Sequence, residues 1–166
     1  TPALLHYYFG DKAQLQDALV ADRLLPVLAE MRGAIANADA DVSERIAAFV
    51  SGIGHVAMKH PWLPPLWVRE VLCEGGALRD VLFERVGPQI PQAMATRFAR
   101  AQARGGINQD LDPRLLMVSL VGLTLFPIAG APIWRRLFAA DADAATLDMD
   151  TFREHTLALL DRGLEL

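Results

Sequence analysis

Apolar residues recur along this chain at intervals of three and four. No stretch alternates with the period of two that a half-buried strand requires, and no Asn-Gly or Asp-Gly pair lies between apolar runs to close a hairpin. The pattern predicts an all-α protein of seven to nine helices. The first spans Pro2 to Phe9, with proline in the first turn and Gly10 placed to end it in a left-handed C-cap. Asp11 caps the next helix, with Gln14 as its capping-box partner. Leu15, Ala18, Leu19, Leu25 and Leu28 line one side of it, Pro26 is placed to kink it, and it ends near Ala36.

Ser43 or Asp41 caps a third helix, whose stripe is Ile46, Phe49, Val50, Ile53 and Ala57 and which stops at His60-Pro61. A proline-rich corner follows, then a short helix from Leu66 to Cys73 stopped by Gly75-Gly76. Another runs from Ala77 to Val86, interrupted by Gly87-Pro88, and a longer one from about Gln89 to Arg104. INQDLDP leads into a helix over Pro113 to Phe126. The last helix is expected from about Asp150 to Arg162, with Gly163 as its stop.

One segment changes the picture. Leu115 to Trp134 carries no charge over a length that could span a bilayer, with Arg114 and Arg135 at its edges. Pro127 and Pro132 break its second half, and the rest of the chain reads as soluble amphipathic helices. The reading preferred is a helix buried on all sides, within one subunit or between two, and no membrane partner is expected. With 166 residues, 52% of them hydrophobic, the chain suits one folded unit with a proper core. A net charge of −4 gives no overall electrostatic footprint for nucleic acid, although charge can be segregated along a chain. The single cysteine, Cys73, excludes an intramolecular disulfide. It fits a reducing, cytoplasmic compartment and reads as a small buried hydrophobe.

The opening stretch, TPALLHYYFGDKAQL, holds a short helix, a glycine, a capping box and a long helix with Lys12 in its first turn. Thr1, Leu5, Tyr7, Tyr8, Phe9, Gly10, Asp11, Lys12 and Leu15 resemble the recognition helix and following helix of the tetracycline-repressor (TetR) family of bacterial transcriptional regulators. His6 stands where that family usually has tyrosine. The closing stretches DLDPRLLMVSLVGLTLFP and FREHTLALLDRGL are similar to the last helices of such regulators.

The resemblance implies a TetR-like division. Residues 1–36 would be the end of a helix–turn–helix domain, with its recognition helix at 2–9, plus the connecting helix; residues 37–166 would bind effector and dimerise. The first two helices of the DNA-binding domain are expected to precede Thr1. Thr1, Pro2 and Ala3 would meet base edges and phosphates at the helix N-terminus, His6 and Tyr7 would face the groove, and Lys12 would hold a backbone phosphate. Leu116, Leu120, Leu123, Phe126, Leu157 and Leu160 are the expected dimer contacts. The implied partners are a palindromic double-stranded operator, a second copy of the chain, and a small apolar or aromatic effector. A helical binding module or protein-partner sensor without DNA recognition is the alternative.

The middle of the chain gathers candidate pocket residues: His55, Met58, Trp62, Trp67, Met94 and Phe98, with Glu70 beside Arg69 and Glu74 as polar groups. Each Met or aromatic also reads as core, the commoner use at helical spacing. There is no H-E-x-x-H, no E-x-x-H pair, no G-x-S-x-G and no phosphate-binding glycine loop, and His55, Met58 and His60 do not share a helix face. No catalytic residue, metal or cofactor is expected, and the chain does not read as an enzyme.

Overall fold

A computed structural model describes residues 8, 10–35, 41–86 and 89–164. Among them every regular element is helical and there is no strand, so the protein is all-α. α1 (Lys12–Leu19) passes through a π turn (Val20–Leu24) into α2 (Leu25–Ile35). α3 spans Val42–Lys59. α4 (Leu63–Trp67) runs into a second π turn (Val68–Leu72), and α5 (Arg79–Val81) into a third (Leu82–Val86). α6 (Gln89–Ala103), α7 (Pro113–Ala129), α8 (Ala131–Leu137) and α9 (Met149–Leu164) complete the chain.

The caps follow the sequence. Asp11 accepts the Gln14 N–H at 2.8 Å, and Gly10 takes a left-handed φ of 75°. Asp41, not Ser43, caps α3, in a full capping box with Glu44. Asp112 caps α7 through the Arg114 N–H. The prolines read as a corner instead start a helix: Pro64 and Pro65 lie in the first turn of α4, where missing N–H groups cost nothing. α4 therefore begins at Leu63 rather than Leu66. Gly163 does not stop α9, which continues to Leu164. The recognition-helix residues Thr1, Pro2, Ala3, His6 and Tyr7 lie outside the described residues.

α3 is central. α2, α6, α7 and α9 all pack on it. Its predicted stripe is buried, and Ile46, Phe49, Val50 and Ile53 join Met94, Phe98, Leu116, Leu120 and Leu160 in one core. A second, much smaller cluster of Val27, Val56 and Leu63, with Leu24 against it, fastens α2 to the C-terminal end of α3 and to α4. Among the described side chains the N-terminal helical arm buries Val20, Val27 and Leu28, whereas the α3–α6–α7–α9 body shares the large core.

The uncharged run does not form one straight helix. α7 and α8 meet at 67°, and no single helix among the described residues is long and apolar enough to cross a membrane. Pro127 is accommodated near the end of α7, and its carbonyl accepts the Trp134 indole N–H at 2.8 Å.

Candidate functional site

The arm and the 59–78 segment enclose a partly open cleft of about 920 Å³. α1 and α2 form one wall, with Leu15, Leu19, Val20, Leu24 and Val27 facing in. Trp62, Leu66 and Leu78 form the other. A volume near the upper end of the ordinary small-molecule range, lined mainly by apolar side chains, suits an organic ligand.

Local sequence explains each wall. Pro26 has no N–H to offer the Asp22 carbonyl, so a regular turn cannot close there. Leu25 N–H bonds instead to Val20 O, the i to i−5 spacing of a π turn. A second π turn closes from Cys73 N–H to Val68 O at 3.0 Å. Both π turns contribute cleft-lining residues, Val20 and Arg23 from the first and Glu70 from the second.

The opposite wall is a tight turn held by side chains. The Arg79 guanidinium donates to the carbonyls of Val71, Leu72 and Cys73 at 3.1, 3.0 and 2.8 Å, satisfying the open C-terminal end of the helix. Glu70 accepts the Ala77 N–H at 3.1 Å and the Arg69 Nε–H at 2.7 Å. These bonds, the Ala77 one first, hold its carboxyl below the usual range. Gly76 packs against the Glu70 carbonyl so closely that a Cβ would collide with it. Cys73, expected to be buried, is exposed at the C-cap of this turn, because the helix end faces outward.

Three polar ties cross from the arm to the segments packed beside it. Gln16 donates to Ala77 O at 2.9 Å, Arg85 pairs with Asp17 at 3.0 Å, and Lys59 bonds both oxygens of Glu30 at 2.9 and 3.0 Å. His60 lies 3.7 Å from Glu30 and edge-on to Trp62. The Lys59 bond is the leading reason that the Glu30 carboxyl is held low.

The candidate pocket residues separate. Trp62 and Glu70 line the cleft. Trp67 lies just behind it, along a narrow apolar seam beneath Leu66 and Leu78. Met94 and Phe98 do not reach the cleft; both are 1% exposed and fill the core, because α6 turns that face toward α3 and α7. His55 and Met58 are exposed on α3 and are not part of the cleft lining. Lys12 is exposed and borders the cleft at the start of α1. The wall residues Leu15, Leu19 and Arg23 were missed as site residues. Their stripe is visible in the sequence, but periodicity does not tell an empty trough from a packed neighbour.

A separate apolar surface lies across the body. α7 turns Leu116 and Leu120 into its own core, Leu120 completely, while Leu115, Val118 and Phe126 (73% exposed) face outward around Gly122. Leu159 of α9 and Ile133 and Leu137 of α8 are also exposed. Of the residues expected at a dimer contact, Phe126 is outward, Leu123 and Leu157 are half-buried against the core, and Leu116, Leu120 and Leu160 are interior. The helix is apolar on every side, so the sequence could not say which side the core would take.

Compared with models of known protein families and with curated protein sequences, the chain matches none of them. Among the described residues no cluster of His, Cys, Asp or Glu could hold a metal ion.

Proposed function

We propose that this protein is a ligand-responsive, DNA-binding transcriptional regulator of the TetR type, acting as a homodimer on a palindromic operator. One observation carries the reading: the cleft is built against the helix that begins, at Lys12, directly after the segment resembling a recognition helix. A ligand between the arm and the 59–78 wall bears on α1 along its whole length. It shifts the population between two arm positions according to its affinity for each, and the spacing of two recognition helices in a dimer follows. The cluster beneath α2 is much smaller than the main core and the described ties are exposed, so the arm moves at lower cost than the body. In the dimer, the outward faces of α7 and α9 pair with their counterparts, which accounts for exposed leucine, valine and phenylalanine on an otherwise well-buried helix. A regulator of this kind represses by occupying its operator and releases it when the cleft fills.

The test is selection of duplexes from a random-sequence pool by the complete gene product. Enrichment of an inverted repeat with half-sites about one helical turn or somewhat more apart supports the reading. Failure to enrich any sequence, with the protein folded and dimeric, overturns it in favour of a binding module without DNA recognition.

A further inference from the structure

The cleft has a direction. Its lining runs down one side of the arm from Lys12 to Glu30, a span of about 27 Å at 1.5 Å per residue. Between those ends the wall is mostly apolar, with Leu15, Leu19, Leu24 and Val27 on the helical side and Trp62 and Leu66 opposite, and Gln16, Asp22, Arg23 and Glu70 as its polar members. At the Glu30 end lie its ion pair with Lys59 and the nearby His60. A trough of this length, mostly apolar between charged ends, suits a linear chain better than a compact ring system.

The charges give the trough a sign. The bordering carboxylates Glu30 and Glu70 are already ionised and paired, to Lys59 and to Arg69 with the Ala77 N–H. Lys12 and Arg23 also border the cleft, and neither makes a hydrogen bond or ion pair with any described residue. Asp22 is the one lining carboxylate without an ion pair among the described residues, so within them two lining cations and one lining anion lack an ion-pair partner. Lys12 stands at the other end of the lining from Glu30, near enough to Glu70 for its charge to help keep that carboxyl ionised.

We propose that the cleft binds a single-chain anionic amphiphile, with its carboxylate-type head on Lys12 and its alkyl chain lying along the arm toward Trp62 and Val27. The proposal rests on reading the cleft as an effector site. It adds a mechanism, because Lys12 is also the residue that would hold an operator phosphate. The ligand's head and the DNA backbone then compete for one ammonium group, and effector binding removes a phosphate contact directly, in addition to any movement of the arm.

The probes are linear alkyl carboxylates of 8 to 14 carbons below their micellar concentrations, with dodecanol and dodecyltrimethylammonium as head-group controls. Binding to the 166-residue chain is read by calorimetry and by the change in tryptophan fluorescence, to which Trp62 in the cleft wall contributes alongside Trp67 and Trp134. One carboxylate should bind per chain, with affinity rising about fourfold per added methylene until the trough is full. Dodecanoate should bind about tenfold tighter than dodecanol and tighter still than the ammonium compound. Lys12→Gln, an exposed change whose folding is checked by circular dichroism, should remove that advantage and leave dodecanol binding unchanged. Leu78→Trp, which narrows the trough, should weaken every chain alike. Equal affinity for the three heads, preference for the ammonium, or no dependence on chain length overturns the proposal. The two readings fail separately. Dodecanoate that binds as described without changing operator affinity sinks the effector reading alone. An operator response to some other ligand, with no carboxylate binding, sinks the amphiphile alone.

Discussion

Val56→Ala tests whether the arm and the body are separate cooperative units. Val56 is 1% exposed and sits between Val27 and Leu63 in the small cluster that fastens α2 to α3. The substitution removes two buried carbons at about 0.8 kcal/mol each and leaves a cavity, for a total of about 2–3 kcal/mol. The described polar ties between arm and body include exposed ion pairs and one side-chain amide bond, which add little in water. The loss should therefore appear as local opening. Amide hydrogen exchange in α2 should accelerate by about 30- to 150-fold, since each 1.4 kcal/mol is a factor of ten. The slowest amides of α6, α7 and α9, anchored by the large core, should keep their rates. Phe98→Ala, in the middle of that core, is the contrast: it should cost about 3–5 kcal/mol and raise exchange in every helix of the body. Equal acceleration throughout the chain in Val56→Ala would show one cooperative unit, and the movable arm would be lost from the account.

Paired Val118→Glu and Phe126→Glu substitutions, both on the outward side of α7, should turn a dimer into a monomer by sedimentation analysis with little change in the urea midpoint; an unchanged dimer refutes the assigned face. Asp41→Ala removes the capping box of α3 and should cost about 1 kcal/mol in urea unfolding, and no loss would mean that the cap is idle. Gly76→Ala drives a Cβ into the Glu70 carbonyl and should cost about 1–3 kcal/mol. Gly105→Ala meets open space and should cost only its left-handed backbone strain, about 1 kcal/mol, so the order of the two glycines is the check. Acid should destabilise the fold. Arg114 holds the Asp112 carboxyl low and Thr151 that of Asp148, while Lys59 does so for Glu30 and the Ala77 N–H for Glu70. A depressed folded-state pKa stabilises above the unfolded value and is lost as pH falls through the folded one. The urea midpoint should thus fall steadily below about pH 4.5, and a flat profile there contradicts these pairings.

The helices and their caps were legible because each is local. Asp11, Asp41 with Glu44, and the Ile46–Phe49–Val50–Ile53 stripe depend on residues within a turn or two of one another. The cleft was legible only in part. Trp62 and Glu70 lie in its lining, but Met94 and Phe98 were not separable from pocket residues, because a core and a ligand call for the same side chains. The Leu15–Leu19 wall was hidden for a related reason: an apolar stripe announces burial without saying whether protein or empty space lies opposite. The π turns also escaped, since Pro26 signals a disturbed helix but not the wider turn that relieves it.

The most direct measurement is the operator affinity of the complete protein with the cleft empty and filled. A ligand whose binding is weakened by Leu78→Trp should lower operator affinity severalfold or more in the wild-type protein, and proportionately less in the variant. Operator affinity that stays the same while the cleft is demonstrably occupied would contradict the account.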